Sequence, residues 1–353
     1  MRRTRPSELS REELRRLRTR SQLLAGPRGK TALDAVDRLV GVQAQDSVAA
    51  AVGIRARTEA LGAGALRRAI AASRSVVTTW VMRGTLHTVA GRDVRWIVAL
   101  MGPRFFHRYR SARLRLGLDD ALVERAIEAL PAAMRSSGPI TRGQLVQRLD
   151  EAGVGITPTG QAPAHLVVAA SLRGILCRGP DARGGKATYV LLDEWIRRPG
   201  RTPRDPLAEL ARRYLAGHGP STVSDFASWS GLSGSDARHG IERVAGDFGE
   251  VLVGGERAWF RDTPAASSRD VRFLGGFDSY LLAYRNREFA LDRRRYRRVH
   301  PGGGMIRPVV LVDGGVAGTW RRHEGRLLVE CFDGEADALT DEASELQRFL
   351  DGT

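Results

Sequence analysis

The middle of the chain contains one pattern twice, and this repeat constrains the fold more than any other feature of the sequence. Residues 137–152, SGPITRGQLVQRLDEA, and residues 217–232, GHGPSTVSDFASWSGL, each hold a Gly-Pro pair, a Ser or Thr able to cap a helix, and apolar residues at helical spacing. In each copy a helical pattern precedes this stretch, another follows it, and two β-segments joined by a Gly-rich turn come next. Three helices followed by a two-stranded wing is the winged helix-turn-helix pattern, so the repeat predicts two such units in series.

The two ends of the chain extend this prediction. Helical patterns at residues 10–24, 32–41, 46–58 and 62–73, followed by the hairpin pattern SVVTTWVMRGTLHTVAG, indicate a third winged helix at the N-terminus. Beyond residue 266 the pattern turns to β, and VVLVDGGVAG holds an Asp-Gly pair of the kind that favours a type I′ hairpin turn. The predicted fold is therefore α+β, with winged helices at residues 1–115, 116–200 and 201–265 and a C-terminal β-rich segment at 266–353.

Arginine dominates the charge of the chain. Lys and Arg number 56 against 40 Asp and Glu, which gives a formal net charge of +16 and a pI near 11.1. Because Lys30 and Lys186 are the only lysines, almost all of the positive charge is guanidinium. A basic excess of this size favours a polyanionic partner. Together with three winged helices on one chain, it predicts a monomer that binds double-stranded DNA.

Composition also disfavours several classes of protein. No stretch approaches the roughly 20 apolar residues of a membrane span, and the first twenty residues lack the apolar centre of a secretory signal. Cys177 and Cys331 lie far apart without a partner motif, which is typical of a reducing compartment rather than of a disulfide or a zinc site. We therefore expect a cytoplasmic, nucleoid-associated protein without a metal ion, a cofactor or a membrane anchor.

Two glutamines stand in an otherwise small and apolar run, LVGVQAQDSVAAAVG. Residues two apart on a helix face away from each other, so Gln43 and Gln45 can converge only if their segment leaves the helix. Gly41 can end the helix before them, and Asp46 or Ser47 can cap the next one. The pair either satisfies backbone groups at this turn or faces a ligand that requires neutral amides.

Six stretches along the chain form a recognisable series: LVGVQAQ, AAAVGIRAR, WVMRGTLHTV, GPIT, FDSYLLAYRNR and LVDGGVAGTW. In this order they resemble the AlkZ-like (YcaQ-like) winged-helix DNA glycosylases, and they span nearly the whole chain. The resemblance implies three tandem winged helices in a C-shaped body whose basic inner face holds DNA. It also implies a catalytic motif of glutamine, a small apolar residue, then glutamine or aspartate, which Gln43, Ala44 and Gln45 match.

A pair of amides suits one class of lesion. Glutamine is no general base, because its amide only donates and accepts hydrogen bonds, whereas cleavage of a stable glycosidic bond needs carboxylates. An N7- or N3-alkylated purine already carries positive charge, so the catalyst has only to position a water against the sugar. The predicted activity is hydrolysis of the N-glycosidic bond of such purines, extending to bulky adducts and interstrand crosslinks. Lys30, in a predicted loop, and Lys186, at a predicted wing tip, are poor candidates for forming a Schiff base, so we expect a monofunctional enzyme.

Further DNA contacts are predicted at two places outside the glutamine motif. In MRGTLH, the side chains of Arg83, Thr85 and His87 alternate on one face of a predicted strand, and Arg83 suits a phosphate. His87 is better explained as a packed or hydrogen-bonded wing residue than as an acid. The Arg-rich run RNREFALDRRRYRRVH contributes Arg285, Arg287 and Arg297, although charge runs are usually only solvated.

A third candidate contact is a hairpin. The resembled family has a β-hairpin that probes the DNA minor groove, and the hairpin around Asp313 and Gly314, with Thr319 and Arg321, is the candidate here. Its alternative is an edge ribbon of a packed sheet.

Two further alternatives stay open at the level of sequence. Asp46 is a rival carboxylate beside Gln45, although an N-cap role explains it better. The whole chain can also be interpreted as a winged-helix transcriptional regulator without catalysis. Release of a methylated base from DNA would separate the enzyme from the regulator.

Overall fold

The computed structural model describes residues 6–157, 159–198, 200–261, 270–333 and 339–352. The α-helices are α1 (Arg11–Ser21), α2 (Ala32–Arg38), α3 (Ser47–Arg55), α4 (Ala65–Ala71), α5 (Val94–Arg108), α6 (Arg110–Arg115), α7 (Asp120–Met134), α8 (Arg142–Glu151), α9 (Ala162–Leu172), α10 (Leu192–Trp195), α11 (Pro206–His218), α12 (Val223–Ser230), α13 (Gly234–Glu242), α14 (Ser279–Leu282), α15 (Tyr296–Val299) and α16 (Thr340–Asp351). The strands are β1 (Val42–Gln43), β2 (Val76–Trp80), β3 (Leu86–Ala90), β4 (Ile140–Thr141), β5 (Leu176–Arg178), β6 (Thr188–Leu191), β7 (Ser221–Thr222), β8 (Gly249–Val253), β9 (Glu256–Phe260), β10 (Val271–Leu274), β11 (Val309–Val312), β12 (Gly315–His323) and β13 (Arg326–Cys331).

The chain divides into two compact units. Unit 1 consists of Met1–Leu66 together with Leu207–Thr353, so both ends of the chain belong to it, and unit 2 is Arg67–Pro206. The compact units meet at residues 66/67 and 206/207. Of the boundaries predicted from the repeat, at residues 115, 200 and 265, only the one at 200 falls near either of these. The division into four segments therefore stays a prediction.

Unit 2 carries the first copy of the repeat. Its elements run α7, β4, α8, α9, β5 and β6, and its strands lie in the order β3-β2-β5-β6-β4 with antiparallel pairing. Thr141 caps α8 through a reciprocal capping box with Gln144, at the threonine that the sequence pattern indicates. Leu130, Leu145 and Leu166, one from each of the three helices, are fully buried in a common core.

Unit 1 carries the second copy. Its elements run α11, β7, α12, α13, β8 and β9, and its short sheet has the order β7-β9-β8. Thr222 caps α12 through a capping box with Asp225, as Thr141 does in the first copy. The core is aromatic: the Tyr214 ring lies 5.0 Å from that of Phe226 and 4.9 Å from that of Trp229.

The C-terminal part of unit 1 is β-rich, as predicted. Strands β10-β11-β12-β13 form an antiparallel sheet, and α16 packs against it around Phe273, Trp320 and Leu346. Asp313 and Gly314 join β11 to β12 with φ values of 49° and 73°, the left-handed conformation that a type I′ turn requires.

Two further properties are visible in the described residues. None of their helices is both long and apolar enough to cross a membrane. Both cysteines are free thiols, Cys177 buried and Cys331 half-buried.

Candidate functional site

The two glutamines lie in a break between α2 and α3. The preceding helix was expected to run to Gly41, but α2 ends at Arg38 and Leu39 is its C-cap. Val40 then takes a left-handed backbone conformation with φ of 62°, which is rare for a β-branched residue and places its side chain in the core. The chain is therefore already extended at Gln43, and the prediction that the motif leaves the helix is confirmed.

The side chains of Gln43 and Gln45 converge. Nε2 of Gln43 donates a hydrogen bond of 2.6 Å to Oε1 of Gln45. Gln43 is half-buried and Gln45 is exposed, while Ala44 between them is buried. The pair is thus accessible from solvent rather than sealed in the core. From the residues that the structure describes, the Gln45 carbonyl oxygen accepts this one hydrogen bond, and because an amide oxygen can accept two, it can also accept one from a water molecule.

Asp46 is the N-cap of α3. Its Oδ1 accepts hydrogen bonds of 2.9 Å from the backbone N–H groups of both Val48 and Ala49. These contacts satisfy two of the amides that a helix start leaves unpaired. The carboxylate next to Gln45 therefore has a structural role that accounts for its presence, as the sequence suggested.

The prediction that Arg83, Thr85 and His87 lie on one strand face is wrong. Arg83 belongs to the 3-10 turn Met82–Gly84 that joins β2 to β3 and has φ of 55°, while Thr85 precedes β3. His87 is in β3 but is only 2% exposed, so its ring cannot reach a phosphate. Burial, followed by the positive charge of Arg83, lowers the pKa of His87 to about 3, so its imidazole is neutral at physiological pH.

The Asp-Gly turn is not exposed in the way that the predicted role of a groove-probing hairpin requires. The Tyr280 hydroxyl donates a hydrogen bond of 2.9 Å to the Gly314 carbonyl, and a Cβ at Gly314 would lie 2.6 Å from the Thr19 side chain. The turn is therefore packed against α1 and α14. Thr319 is 5% exposed and donates to Glu330 of the neighbouring strand, whereas Arg321 further along β12 is exposed. These contacts place the hairpin in a packed sheet, although β11 and β12 are the two inner strands of that sheet rather than the expected edge ribbon.

The arginines of the basic run lie at the surface of unit 1. Arg285 and Arg297 are exposed, and Arg287 is half-buried because its Nε donates to the Leu281 carbonyl. Arg285 and Arg287 line a surface cavity of about 760 Å³, together with the exposed ring of Tyr296. An aromatic ring beside guanidinium groups is suited to contact with nucleic acid.

Sequence reasoning missed a buried polar cluster near α3. Arg57 and Asp278 form a bidentate ion pair with N–O distances of 2.7 and 2.8 Å, and their side chains are 0% and 2% exposed. Both residues lie in stretches that carry the family resemblance. The signal available in the sequence was a charge beside apolar residues, Arg57 after AAAVGI and Asp278 before YLLAY. Among the described residues, no group of three or more His, Cys, Asp or Glu side chains could hold a metal ion.

Comparison with known proteins decides between the enzyme and the regulator. The sequence model of the AlkZ-like DNA glycosylases matches residues 36–349. An interstrand DNA cross-link repair glycosylase from Streptomyces sahachiroi is 30% identical over 334 residues, which cover 89% of this chain and 88% of the relative. A solved structure of the Streptomyces sahachiroi DNA glycosylase AlkZ superposes with a TM-score of 0.80 and 26% identity, over 98% of this chain and 97% of that one. The chain therefore belongs to the AlkZ-like DNA glycosylase family and is a DNA glycosylase rather than a regulator without catalysis.

Proposed function

We propose that this enzyme is a monofunctional DNA glycosylase that hydrolyses the N-glycosidic bond of cationic N7- or N3-alkylated purines. Gln43 and Gln45 are the catalytic residues. The observation that supports this role is the convergence of their side chains, 2.6 Å apart and open to solvent, at a break between two helices. If the two side chains only formed hydrogen bonds to backbone groups of the turn, their amides would not need to contact each other.

The chemistry follows from what an amide can do. As the bond to a cationic purine lengthens, positive charge moves onto the sugar and the base departs as a neutral molecule. The catalyst does not have to supply a proton to the base. The carbonyl oxygens of Gln43 and Gln45 orient a water molecule toward the sugar, and their dipoles favour the oxocarbenium-like transition state. A neutral base such as uracil leaves less readily, so this pair is a poor catalyst for its removal.

The substrate class extends to bulky lesions. The relative from Streptomyces sahachiroi is named an interstrand DNA cross-link repair glycosylase, and we propose the same class of substrate for this chain. An accessible catalytic pair agrees with this proposal, because a crosslinked base cannot be flipped fully into a tight pocket.

The enzyme is proposed to leave an abasic site without cutting the strand. Lyase activity requires an amine that forms a Schiff base with the sugar, and Lys30 and Lys186 are the only lysines. The measurement is trapping with borohydride on lesion-containing DNA. No covalent adduct is expected, and a trapped adduct would contradict the proposal.

Duplex DNA is proposed to contact this enzyme mainly through arginine. The proposed phosphate contacts are Arg83, Arg285, Arg287, Arg297 and Arg321, which are exposed or half-buried. Thr85, which is half-buried, also stays a proposed contact, whereas His87 and Thr319 are not among them because they are buried. We further propose that α7 to β6 and α11 to β9 are winged helices, that the N-terminal helices with β2 and β3 form a third, and that the enzyme acts as a monomer at the nucleoid.

The experiment is release of N7-methylguanine from a duplex, with abasic sites revealed by strand cleavage in alkali. The Gln43→Ala/Gln45→Ala variant is expected to lose about 100-fold or more in rate, as when transition-state dipoles are removed from other enzymes. Its affinity for the duplex should be unchanged. Gln147→Ala is the matched control, because Gln147 is an exposed glutamine of α8 that bonds only to Glu151 in the described structure. A double variant with full activity would overturn the assignment of the pair.

A further inference from the structure

The carboxylate of Asp278 is held against the C-terminal end of α3. Its Oδ1 and Oδ2 accept hydrogen bonds from Nη2 and Nη1 of Arg57, two residues beyond the end of α3. Nη1 of Arg57 also donates a hydrogen bond of 2.7 Å to the Gly53 carbonyl in the last turn of α3. One guanidinium group therefore joins the helix end to Asp278, in a geometry that only arginine provides.

The sequence of α3 leaves space for this carboxylate. A Cβ at Gly53 would lie 2.7 Å from Oδ2 of Asp278, closer than real Cβ contacts allow. Glycine at this position therefore lets the carboxylate approach the helix backbone directly. The network continues from the guanidinium group, because Nη2 of Arg57 also donates to Gln22, whose Nε2 donates to the Tyr284 hydroxyl, while the buried Nε has no partner among the described residues. The ion pair is thus fixed in direction as well as in position.

The segment that carries Asp278 also touches the start of α3. A Cβ at Gly275 would lie 2.4 Å from the Ala49 carbonyl oxygen, so the backbone at Gly275 packs directly on the first turn of the helix. Residues 275–278 therefore contact α3 at both of its ends. With nine residues, α3 is about 13 Å long, and its internal hydrogen bonds make it a rigid connection between the two contacts.

The other end of α3 is the candidate catalytic motif. Asp46 is the N-cap of α3, and Gln45 precedes it directly. A change in the direction of α3 would therefore move the Gln45 side chain relative to Gln43. Small displacements of a water-positioning group are costly, because a shift of about 1 Å can lower a rate by about 100-fold.

We infer that Asp278 is a positioning residue for the glycosylase reaction, which sets the geometry of Gln43 and Gln45 through α3 and Arg57. The inference rests on the proposed catalytic role of the two glutamines. A merely structural ion pair would lower stability on removal and leave the rate of the folded enzyme unchanged. A positioning pair changes the rate constant of the molecules that remain folded.

The experiment is single-turnover base release with enzyme in excess over N7-methylguanine DNA, at a temperature well below the Tm of each variant. Two quantities are measured. A separate reaction with DNA in slight excess gives an amplitude that reports the fraction of folded enzyme. The single-turnover rate constant, with enzyme in excess, reports the geometry of the site. Two variants perturb the contact differently: Asp278→Asn removes the charge, and Gly53→Ala displaces the carboxylate without removing any hydrogen-bonding group. Gly143→Ala is the control, because Gly143 is also helical but a Cβ there would meet nothing within 4 Å.

Both Gly53→Ala and Asp278→Asn are expected to lower the rate constant by about 10- to 100-fold, with DNA affinity within about twofold of wild type and Gly143→Ala unchanged. If Asp278→Asn does not fold, Gly53→Ala alone decides the outcome. Rate constants within about twofold of wild type, with only amplitude or Tm reduced, would overturn the inference. The Gln43→Ala/Gln45→Ala variant is measured in parallel, and full activity in that variant would refute the proposed function whatever the result at Asp278.

Discussion

Arg18 and Asp225 form an ion pair that joins the first helix of the chain to α12. Nη2 of Arg18 lies 3.2 Å from Oδ2 of Asp225, and the two side chains are 3% and 7% exposed. The guanidinium group also donates to the Pro220 carbonyl and stacks 3.7 Å above the centre of the Tyr284 ring. This contact explains in part why the N-terminal residues belong to the same compact unit as the C-terminal half.

Removal of one partner from this pair should destabilise the fold strongly. Arg18→Met leaves the Asp225 carboxylate buried without its counter-charge, which typically costs about 3–5 kcal/mol of the free energy of unfolding. Arg16→Ala is the control, because the ion pair of Arg16 among the described residues is an exposed one with Glu12 at 3.9 Å, and its loss should change stability by about 0.5 kcal/mol or less. Urea denaturation measures both. A loss below about 1 kcal/mol in Arg18→Met would show that the pair contributes little.

Asp46→Asn should distinguish the helix-capping role of Asp46 from a catalytic role of its carboxylate. Asparagine caps helices about as well as aspartate but has no carboxylate, so this variant should keep both stability and the wild-type rate of base release. Asp46→Ala should lose about 1 kcal/mol of stability because the amides of Val48 and Ala49 lose their acceptor. If Asp46→Asn were as inactive as the double glutamine variant, the carboxylate would have to take part in the reaction.

Features that depend on short stretches of sequence were predicted well. The helix starts at Thr141 and Thr222 and the Asp-Gly turn at residue 313 follow from local hydrogen bonding and local backbone preference, which a few neighbouring residues determine. Local geometry also gave the condition that Gln43 and Gln45 can converge only outside a helix, and in the structure they lie outside a helix and converge.

Features that depend on distant parts of the chain were missed. Val40, rather than Gly41, takes the left-handed conformation, because core packing outweighs the usual preference for glycine. The turn at Gly314 packs against Thr19 and accepts a hydrogen bond from Tyr280, and both residues are distant in sequence. No periodicity predicts such contacts, so the sequence leaves open whether the hairpin probes a DNA groove or belongs to a packed sheet.

Acidic pH should destabilise the fold through His218. Its ring is fully buried, stacks on Tyr214 with 4.8 Å between ring centroids and hydrogen-bonds to the Tyr214 carbonyl, and burial lowers its pKa to about 3. The unfolded chain takes up a proton near pH 6.5 while the folded chain stays neutral. The contribution to stability is therefore present above about pH 6.5 and is lost toward about pH 3, by up to about 1.4 kcal/mol per pH unit.

The measurement is the free energy of unfolding between about pH 7 and pH 4 for wild type and His218→Phe. Phenylalanine keeps a stacked ring but cannot be protonated, so the slope of stability against pH should fall by about 1.4 kcal/mol per pH unit in the lower part of this range. The absolute stability of the variant does not matter for this comparison. An unchanged slope would mean that the imidazole takes up its proton over the same pH range in the folded and the unfolded chain.

Arg285 provides the sharpest test of the proposed DNA surface. Its side chain is exposed and forms no ion pair with any residue that the structure describes, and it lines the cavity that also holds Arg287 and Tyr296. Such a guanidinium group is available to neutralise a phosphate. By contrast, Arg257 is already neutralised by two hydrogen bonds of 2.6 Å to Glu250.

The expected difference lies in salt dependence rather than in affinity alone. Each phosphate contact releases about one counterion, so the slope of log affinity against log salt concentration should fall by about one in Arg285→Ala. Arg257→Ala should leave the slope unchanged. The charge of Arg257 is already balanced by Glu250, so its removal exposes the Glu250 carboxylate but breaks no phosphate contact. Binding isotherms on an undamaged duplex at several salt concentrations measure both variants. Equal slopes in wild type and Arg285→Ala would place the DNA away from this cavity, since a charge in contact with a phosphate cannot be removed without changing the number of ions released.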